Sequence, residues 1–304
     1  MTMAAPYALR FQIGARTLFT MRRTLRRQSF SLADVLGRKA PRLPPLDAGD
    51  DGYVITSLPV TLLPAIEAQA RGMRIFERQR YVRHFADLDQ DFDAYLAGFS
   101  AKSRATLQRK RRKFAEAAGG EIEVRLYRTI MEFEIFFALA RGLSKRTYQE
   151  KLLDAGLPSR EEERAAMSAL ARQGKVRAFL LFLGGKAAAY LYLQADGDTL
   201  IYAYLGFDPA KAALSPGAVL QMEAMRMLME EGAFRRLDFT EGEGQHKRLF
   251  ATGGVECVGL LVLRPSIGNG LRLAALDRFD RVVAAGKAWL GHPSLQPLTR
   301  AIRR

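Results

Sequence analysis

Residues 176–239 constrain the fold more than any other part of the chain. Three apolar stretches, 176–183, 187–194 and 199–207, read as strands, and only Gly184-Gly185 and Ala195-Asp-Gly-Asp separate them. Ser215-Pro216-Gly217 then opens a helical pattern running to Glu231, with serine as N-cap and proline at the first helical position. Residues 234–239 return to a strand pattern, 245–250 allow one helical turn, and 255–263 read as the last strand.

Upstream, Thr129 and Glu132 form a capping box ahead of a helix through Phe136, Phe137 and Leu139, and Ser159 with Glu162 predicts another ending near Gly174. Residues 122–128 alternate like a strand. A single long helix is expected from Asp91 to the Gly119-Gly120 stop, with Phe92, Tyr95, Leu96, Phe99, Leu107 and Phe114 on its apolar side. Residues 53–58 and 74–85 read as extended and 59–70 as a short helix. Near the N-terminus, residues 11–19 read as a hairpin with Gly14 at its turn. From residue 119 the order is β-α-α-β-β-β-α-β-(α)-β, followed by a helical tail over 271–290.

Composition excludes several classes. With 304 residues, 48% apolar and 26% charged, the chain is long enough for two domains or one elaborated domain. Its single cysteine, Cys257, cannot form an intrachain disulfide, so a reducing compartment is expected. No uninterrupted apolar run reaches the ~18 residues of a spanning helix. The formal charge of +15 is unevenly placed. Residues 1–40 carry eight basic groups and one acid, 102–113 seven and none, and 264–304 eight and two, whereas 114–263 hold 18 and 20. Three basic attachments on a near-neutral domain suit an enzyme held against an anionic surface better than a nucleic-acid reader, which the absence of aromatic interleaving and zinc spacing also disfavours. The acid-free first 33 residues resemble a transit peptide but lack a continuous apolar segment. His84, His292 and Cys257 are isolated, so no metal set is expected.

The element order resembles the GNAT acyltransferase fold, in which antiparallel strands lead to one parallel strand across a central helix. Two segments strengthen the likeness. Phe99-Ser-Ala-Lys-Ser-Arg-Ala-Thr-Leu-Gln-Arg-Lys-Arg-Arg-Lys is similar to a basic helix of the CelD-type acetyltransferase branch, and Leu237-Asp-Phe-Thr-Glu-Gly-Glu-Gly-Gln-His-Lys-Arg-Leu-Phe to that branch's D-F-x-x-G-x-x-x-x-K-x-x-F segment. The related FemAB-like aminoacyltransferases pair two such domains. The resemblance implies an α/β (α+β) GNAT fold with a mixed, mostly antiparallel sheet flanked by helices. It also implies four regions: a basic leader (1–40), a reduced N-terminal GNAT-like region ending in a long basic helix (41–118), a catalytic domain (119–264) and a basic amphipathic tail (265–304). The usual Arg/Gln-x-x-Gly-x-Gly/Ala phosphate loop is replaced by Lys211-Ala-Ala-Leu-Ser-Pro-Gly-Ala. Amides at Gly217, Ala218 and Val219 after Ser215 could still receive a phosphate at a helix N-terminus.

Acyl transfer to an amine sets the chemistry. An alkylammonium with a pKa near 10 must lose a proton before attack, at a cost of about 4 kcal/mol at pH 7, so a base is required, and an acid must protonate the departing thiolate. The base candidates are Glu241 and His246, in a loop that also holds Glu243; the alternative is a solvated acidic turn. Lys247 aligns with the family lysine and is assigned to the acyl donor, together with Gly206, Ser215, Gly217, Ala218 and Val219, or pairs with Glu241 and Glu243. Tyr202 and Tyr204, expected on one strand face, are the candidate acids, Tyr204 first by resemblance. Met222, Met225, Met227 and Met229 read as core, with an acyl-chain groove as the other use of methionine.

The expected function is acyl-CoA-dependent N-acyl transfer, with an acyl carrier protein thioester as the other donor and no metal. The preferred acceptor is a long-chain lipid amine such as a sphingoid base, in the manner of a bacterial ceramide-synthase-like member acting at the cytoplasmic membrane face. The alternatives are an amino sugar of exopolysaccharide biosynthesis, a peptidoglycan peptide, or a non-catalytic binding module.

Overall fold

The computed structural model describes residues 4–13, 16–147, 156–242 and 244–266. The expected tail over 271–290, Glu243 and the turn at Gly14 lie outside the described residues. The chain divides into two compact units, one of residues 1–80 and 257–304 and one of residues 81–256.

In the first unit, β1 (Ala4–Ile13) pairs antiparallel with β2 (Arg16–Ser29), so the expected hairpin is there and is longer than its apolar signal. β2 runs parallel to β3 (Gly52–Pro59), and β3 pairs antiparallel with residues 257–263 of β10 (Gly253–Leu263). A short helix, α1 (Leu32–Leu36), starts in a Ser31–Asp34 capping box that the sequence reading missed. The Arg26 guanidinium donates to Asp50 at 2.6 Å and to Asp47 at 2.5 Å, and this bonding holds the Asp50 carboxyl below its ordinary range. Gly52 is required where it stands: a Cβ there would meet the Val262 carbonyl oxygen at 2.0 Å. The expected helix at 59–70 is a 3-10 turn (Val60–Leu62) running into α2 (Leu63–Gln69).

The second unit is a mixed sheet between two helical layers, as the GNAT likeness implies. Its strand order is β4 (Arg74–Asp87), β9 (Arg236–Asp238), β8 (Thr199–Phe207), β7 (Lys186–Asp196), β6 (Val176–Leu183) and β5 (Val124–Tyr127). All neighbours are antiparallel except β8 and β9, which are parallel. Period-two alternation divides the apolar residues between two cores. Phe179, Leu181, Leu191 and Leu193 face one way, joined by Leu107 and Phe114 of α4 (Ala101–Ala117) and by Val219, Met222, Met225 and Met229 of α7 (Pro216–Glu231). Leu180, Phe182, Tyr190 and Tyr192 face the other, beneath Phe133, Phe136 and Phe137 of α5 (Ile130–Ser144) and Met167 of α6 (Glu161–Arg172).

Three local expectations are corrected. The long helix from Asp91 is two helices, α3 (Phe92–Ala97) and α4, because Ser100 caps a fresh start by accepting the Ser103 amide after Gly98 has closed the first. Helix α6 has Arg160 at its N-cap position with no side-chain capping bond, so the Ser159–Glu162 box does not form. Ser215 stands at the N-cap position of α7, but its left-handed backbone (φ 53°) is not the extended one a capping hydroxyl needs, and its side chain makes no capping bond. The Thr129–Glu132 box forms as expected.

Candidate active site

The parallel pair positions the site. β8 and β9 share a ladder only from Thr199 to Ile201, opposite residues 236–238, while β8 continues to Phe207. Beyond Ile201 a groove of about 490 Å3 opens. Its walls are β8 from Tyr202 to Phe207, the first turns of α7 (Gly217, Ala218, Gln221), and α8 (Gln245–Phe250), with Lys110 of α4 at the border.

A slip in register shapes the strand wall. Tyr204 pairs with Tyr192 and Tyr202 with Leu193, leaving Ala203 as the extra residue of a β-bulge. The bulge reverses the alternation. Leu200 and Tyr202 join the core beneath α4 and α7, whereas Ala203 and Tyr204 pack on the core beneath α5 and α6. Tyr202 and Tyr204 therefore do not share a face. The Tyr204 ring lies on Tyr192 with centroids 6.1 Å apart, and burial first, then Glu163, raises its pKa.

Two polar atoms on the groove stand unsatisfied. Tyr202 is 8% exposed and Gln221 2%, and among the described residues neither the Tyr202 hydroxyl nor the Gln221 Nε2 has a hydrogen-bond partner. Leaving a buried donor unpaired costs about 1–3 kcal/mol, and both of these side chains belong to residues that line the groove. Burial drives the Tyr202 pKa well above the ordinary phenol value, which keeps it a proton donor across the neutral range. The His246 ring lies 5.9 Å from the Tyr202 ring, centroid to centroid. Desolvation first, and the Lys247 charge second, hold His246 below its usual pKa of 6.5, so it stands neutral and able to accept a proton at pH 7. Gly244 permits this placement, because a Cβ there would lie 3.0 Å from the imidazole Cε1.

A buried ion pair supports the loop carrying His246. Arg83, 8% exposed at the side chain, grips Asp238 with Nε on Oδ1 at 3.2 Å and Nη2 on Oδ2 at 2.5 Å. Oδ1 also accepts the Thr240 amide at 2.8 Å, holding that residue at φ 62° where the chain turns away from β9. The start of α8 is not the only part held: Tyr95 donates to the Phe250 carbonyl at 2.6 Å at its other end.

The remaining expected site residues divide. Tyr204, His246, Gly217 and Ala218 border the groove with Tyr202; Glu241 is exposed and outside its lining. The Lys247 ammonium donates to the Glu241 carbonyl at 2.5 Å and so closes its own loop. Gly206 is glycine because a Cβ would sit 2.5 Å from the Tyr190 ring. The amides of Ala218 and Val219 already donate to the Ser215 carbonyl at 3.1 and 3.2 Å, and Val219 is a core residue. No methionine lines the groove; Met222, Met225 and Met229 are buried. Sequence reasoning missed Gln221, Lys110 and Arg83. Gln221 carried one visible signal, a polar residue inside the apolar pattern of a core helix.

Among the described residues no His, Cys, Asp and Glu cluster could hold a metal ion, and no helix is long and apolar enough to cross a membrane. Residues 101–248 match the family model described as Acetyltransferase (GNAT) domain. No curated protein matches the chain. Among solved structures, the C-terminal domain of a putative lysylphosphatidylglycerol synthetase from Agrobacterium fabrum is similar at 14% identity and a TM-score of 0.51, covering 75% of this chain and 72% of that one. A conserved protein of unknown function from Bacteroides thetaiotaomicron aligns at 14% identity and a TM-score of 0.50, over 70% of each chain. FemX aligns at 12% identity and a TM-score of 0.49, over 86% and 89%. The matched residues contain the β8–α7–β9 unit, the bulged strand and all of the groove residues but Leu249 and Phe250. Residues 101–248 thus form a GNAT-type acetyltransferase domain, and the protein is an N-acyltransferase.

Proposed function

We propose that the groove transfers an acyl group from a thioester to the primary amine of a long-chain lipid. The carrying observation is that two residues whose buried polar atoms lack partners among the described residues, Tyr202 and Gln221, line one groove together with His246. His246 takes the proton that frees the amine lone pair. The amine nitrogen then bonds to the acyl carbon and sheds its second proton to solvent, the carbon–sulfur bond breaks, and Tyr202 gives its proton to the departing sulfur, regaining one from solvent. An alkylammonium and a thioester thus yield an amide, a thiol and one released proton. Gln221 Nε2 donates to a carbonyl of the donor and orients it. Tyr202 is taken as the acid in place of Tyr204 because it packs on the α7 side of the sheet and its ring lies beside that of His246. Glu241 is left with the loop.

A lipid acceptor is supported by α5, where Met131, Ile135 and Leu139 stand four residues apart and are 77%, 57% and 42% exposed. Such a stripe can rest on an apolar surface. One fold neighbour is described as a lysylphosphatidylglycerol synthetase, a name that includes a lipid. The test is turnover of palmitoyl-CoA and acetyl-CoA against sphinganine and against a soluble amino sugar, with co-sedimentation on anionic liposomes at low and high salt. Long-chain amide formation lost in Tyr202→Phe is expected. Exclusive use of acetyl-CoA on the amino sugar, without liposome binding, overturns the lipid acceptor.

A further inference from the structure

We propose that the outer face of α4 docks an acidic acyl carrier protein, which presents the thioester to the groove on a phosphopantetheine arm. The inference rests on the thioester reading above and names the carrier of that thioester. Helix α4 holds seven basic residues and one acid, Glu116. Three of the seven have partners in the fold: Arg104 reaches the Leu96 and Ala97 carbonyls, Arg111 the buried Glu223 at 2.7 Å, and Lys113 the Ala213 carbonyl at 3.1 Å. Lys102, Arg109, Lys110 and Arg112 make no ion pair or hydrogen bond among the described residues.

At 100° per residue, Lys102, Arg109 and Arg112 lie on the side opposite the buried Leu107 and Phe114. All three are exposed. Like charges along one helix face repel and destabilise it, whereas other exposed charges of this unit are paired, among them Arg160 with Glu163 and Arg226 with Glu230. An unmatched row fits a partner of opposite sign. Lys110, half-buried, joins this face to the groove.

The groove's limited capacity for phosphate favours a protein carrier over a free nucleotide. Pro216 has no amide hydrogen, and the Ala218 and Val219 amides are committed to Ser215. Of the amides that open α7, that leaves Gly217, with Lys110 the one basic residue in the groove's lining besides His246. One free helix amide and one nearby lysine suit the single phosphodiester of a phosphopantetheine arm. The arm's thiol remains on the carrier when the carbon–sulfur bond breaks and the new carbon–nitrogen bond forms. An acidic helical carrier then supplies the charge that the α4 row lacks.

The test uses the full chain and a bacterial type II acyl carrier protein in apo, holo and palmitoyl forms. Fluorescence anisotropy reads binding at about 50 and 300 mM salt, which changes the screening length severalfold or less but strongly weakens exposed charge contacts. Turnover of palmitoyl-carrier and palmitoyl-CoA against sphinganine is measured alongside. The triple variant Lys102→Glu/Arg109→Glu/Arg112→Glu alters only unpartnered outward side chains, and its melting curve checks the fold. Carrier affinity and carrier kcat/KM are expected to fall by about tenfold or more, with palmitoyl-CoA kcat/KM changed by less than about twofold. Unchanged carrier binding in a folded triple variant, an equal fall with both donors, or preferential displacement of the carrier by transfer RNA would overturn the proposal. If the carrier binds through α4 but neither donor is consumed, the acyl-transfer reading fails and the docking surface stands.

Discussion

Replacing Arg83 with methionine tests whether the Arg83–Asp238 pair holds the catalytic loop. Asp238 is 1% exposed and receives three hydrogen bonds, two from Arg83 and one from the Thr240 amide. Methionine fills much of the arginine's volume but leaves the carboxylate with the Thr240 amide alone. Removing one partner of a buried pair costs about 3–5 kcal/mol, chiefly because the other charge stays buried and uncompensated. With a urea dependence of about 2 kcal/mol per molar, the midpoint of unfolding followed by far-UV circular dichroism should fall by about 1.5–2.5 M. Arg83→Met/Asp238→Leu should recover most of that loss, since neither charge then needs solvation, yet turnover should stay low because Thr240 and the chain leading to His246 have lost their anchor. A loss below about 1 kcal/mol in the single variant, or a double variant as unstable as the summed singles, would refute the reasoning.

Gln221→Leu removes a buried unsatisfied amide and should leave stability unchanged or higher while donor KM rises by about tenfold, read by urea titration and steady-state kinetics; a clear loss of stability would show that the amide has a structural partner. The folded pKa of His246 is depressed, so stability tied to its neutral form is complete above about pH 6.5 and is lost as the pH falls through the lower folded value. The acid limb of kcat/KM should accordingly fall below pH 6.5 and flatten in His246→Gln; a limb at or above 6.5 that survives the substitution excludes His246 as the base. Gly206→Ala places a methyl 2.5 Å from the Tyr190 ring and should cost about 1–3 kcal/mol by overpacking, measured as a lower thermal midpoint with donor affinity per folded molecule unchanged; an undisturbed midpoint would mean that the ring yields freely.

What the sequence determined by itself was local and periodic. Strands 176–183 and 199–207 coincide with β6 and β8, the Thr129–Glu132 box starts α5, and Pro216 opens α7, because alternation, capping and fixed φ act within a few residues. The strand–helix–strand order around α7 also announced the parallel pairing of β8 with β9. Three matters needed the tertiary structure. The bulge at Ala203 depends on register against β7, and one extra residue sends Tyr202 and Tyr204 to opposite faces. The Arg83–Asp238 pair joins residues 155 positions apart, a separation at which no local pattern exists. The division of the candidate site residues followed from their placement: Lys247 is occupied by a carbonyl, Glu241 lies outside the groove, and Tyr202, Gln221 and His246 line it. Residue type shows what a side chain can do, but burial and the presence of partners decide which of those capacities remains available.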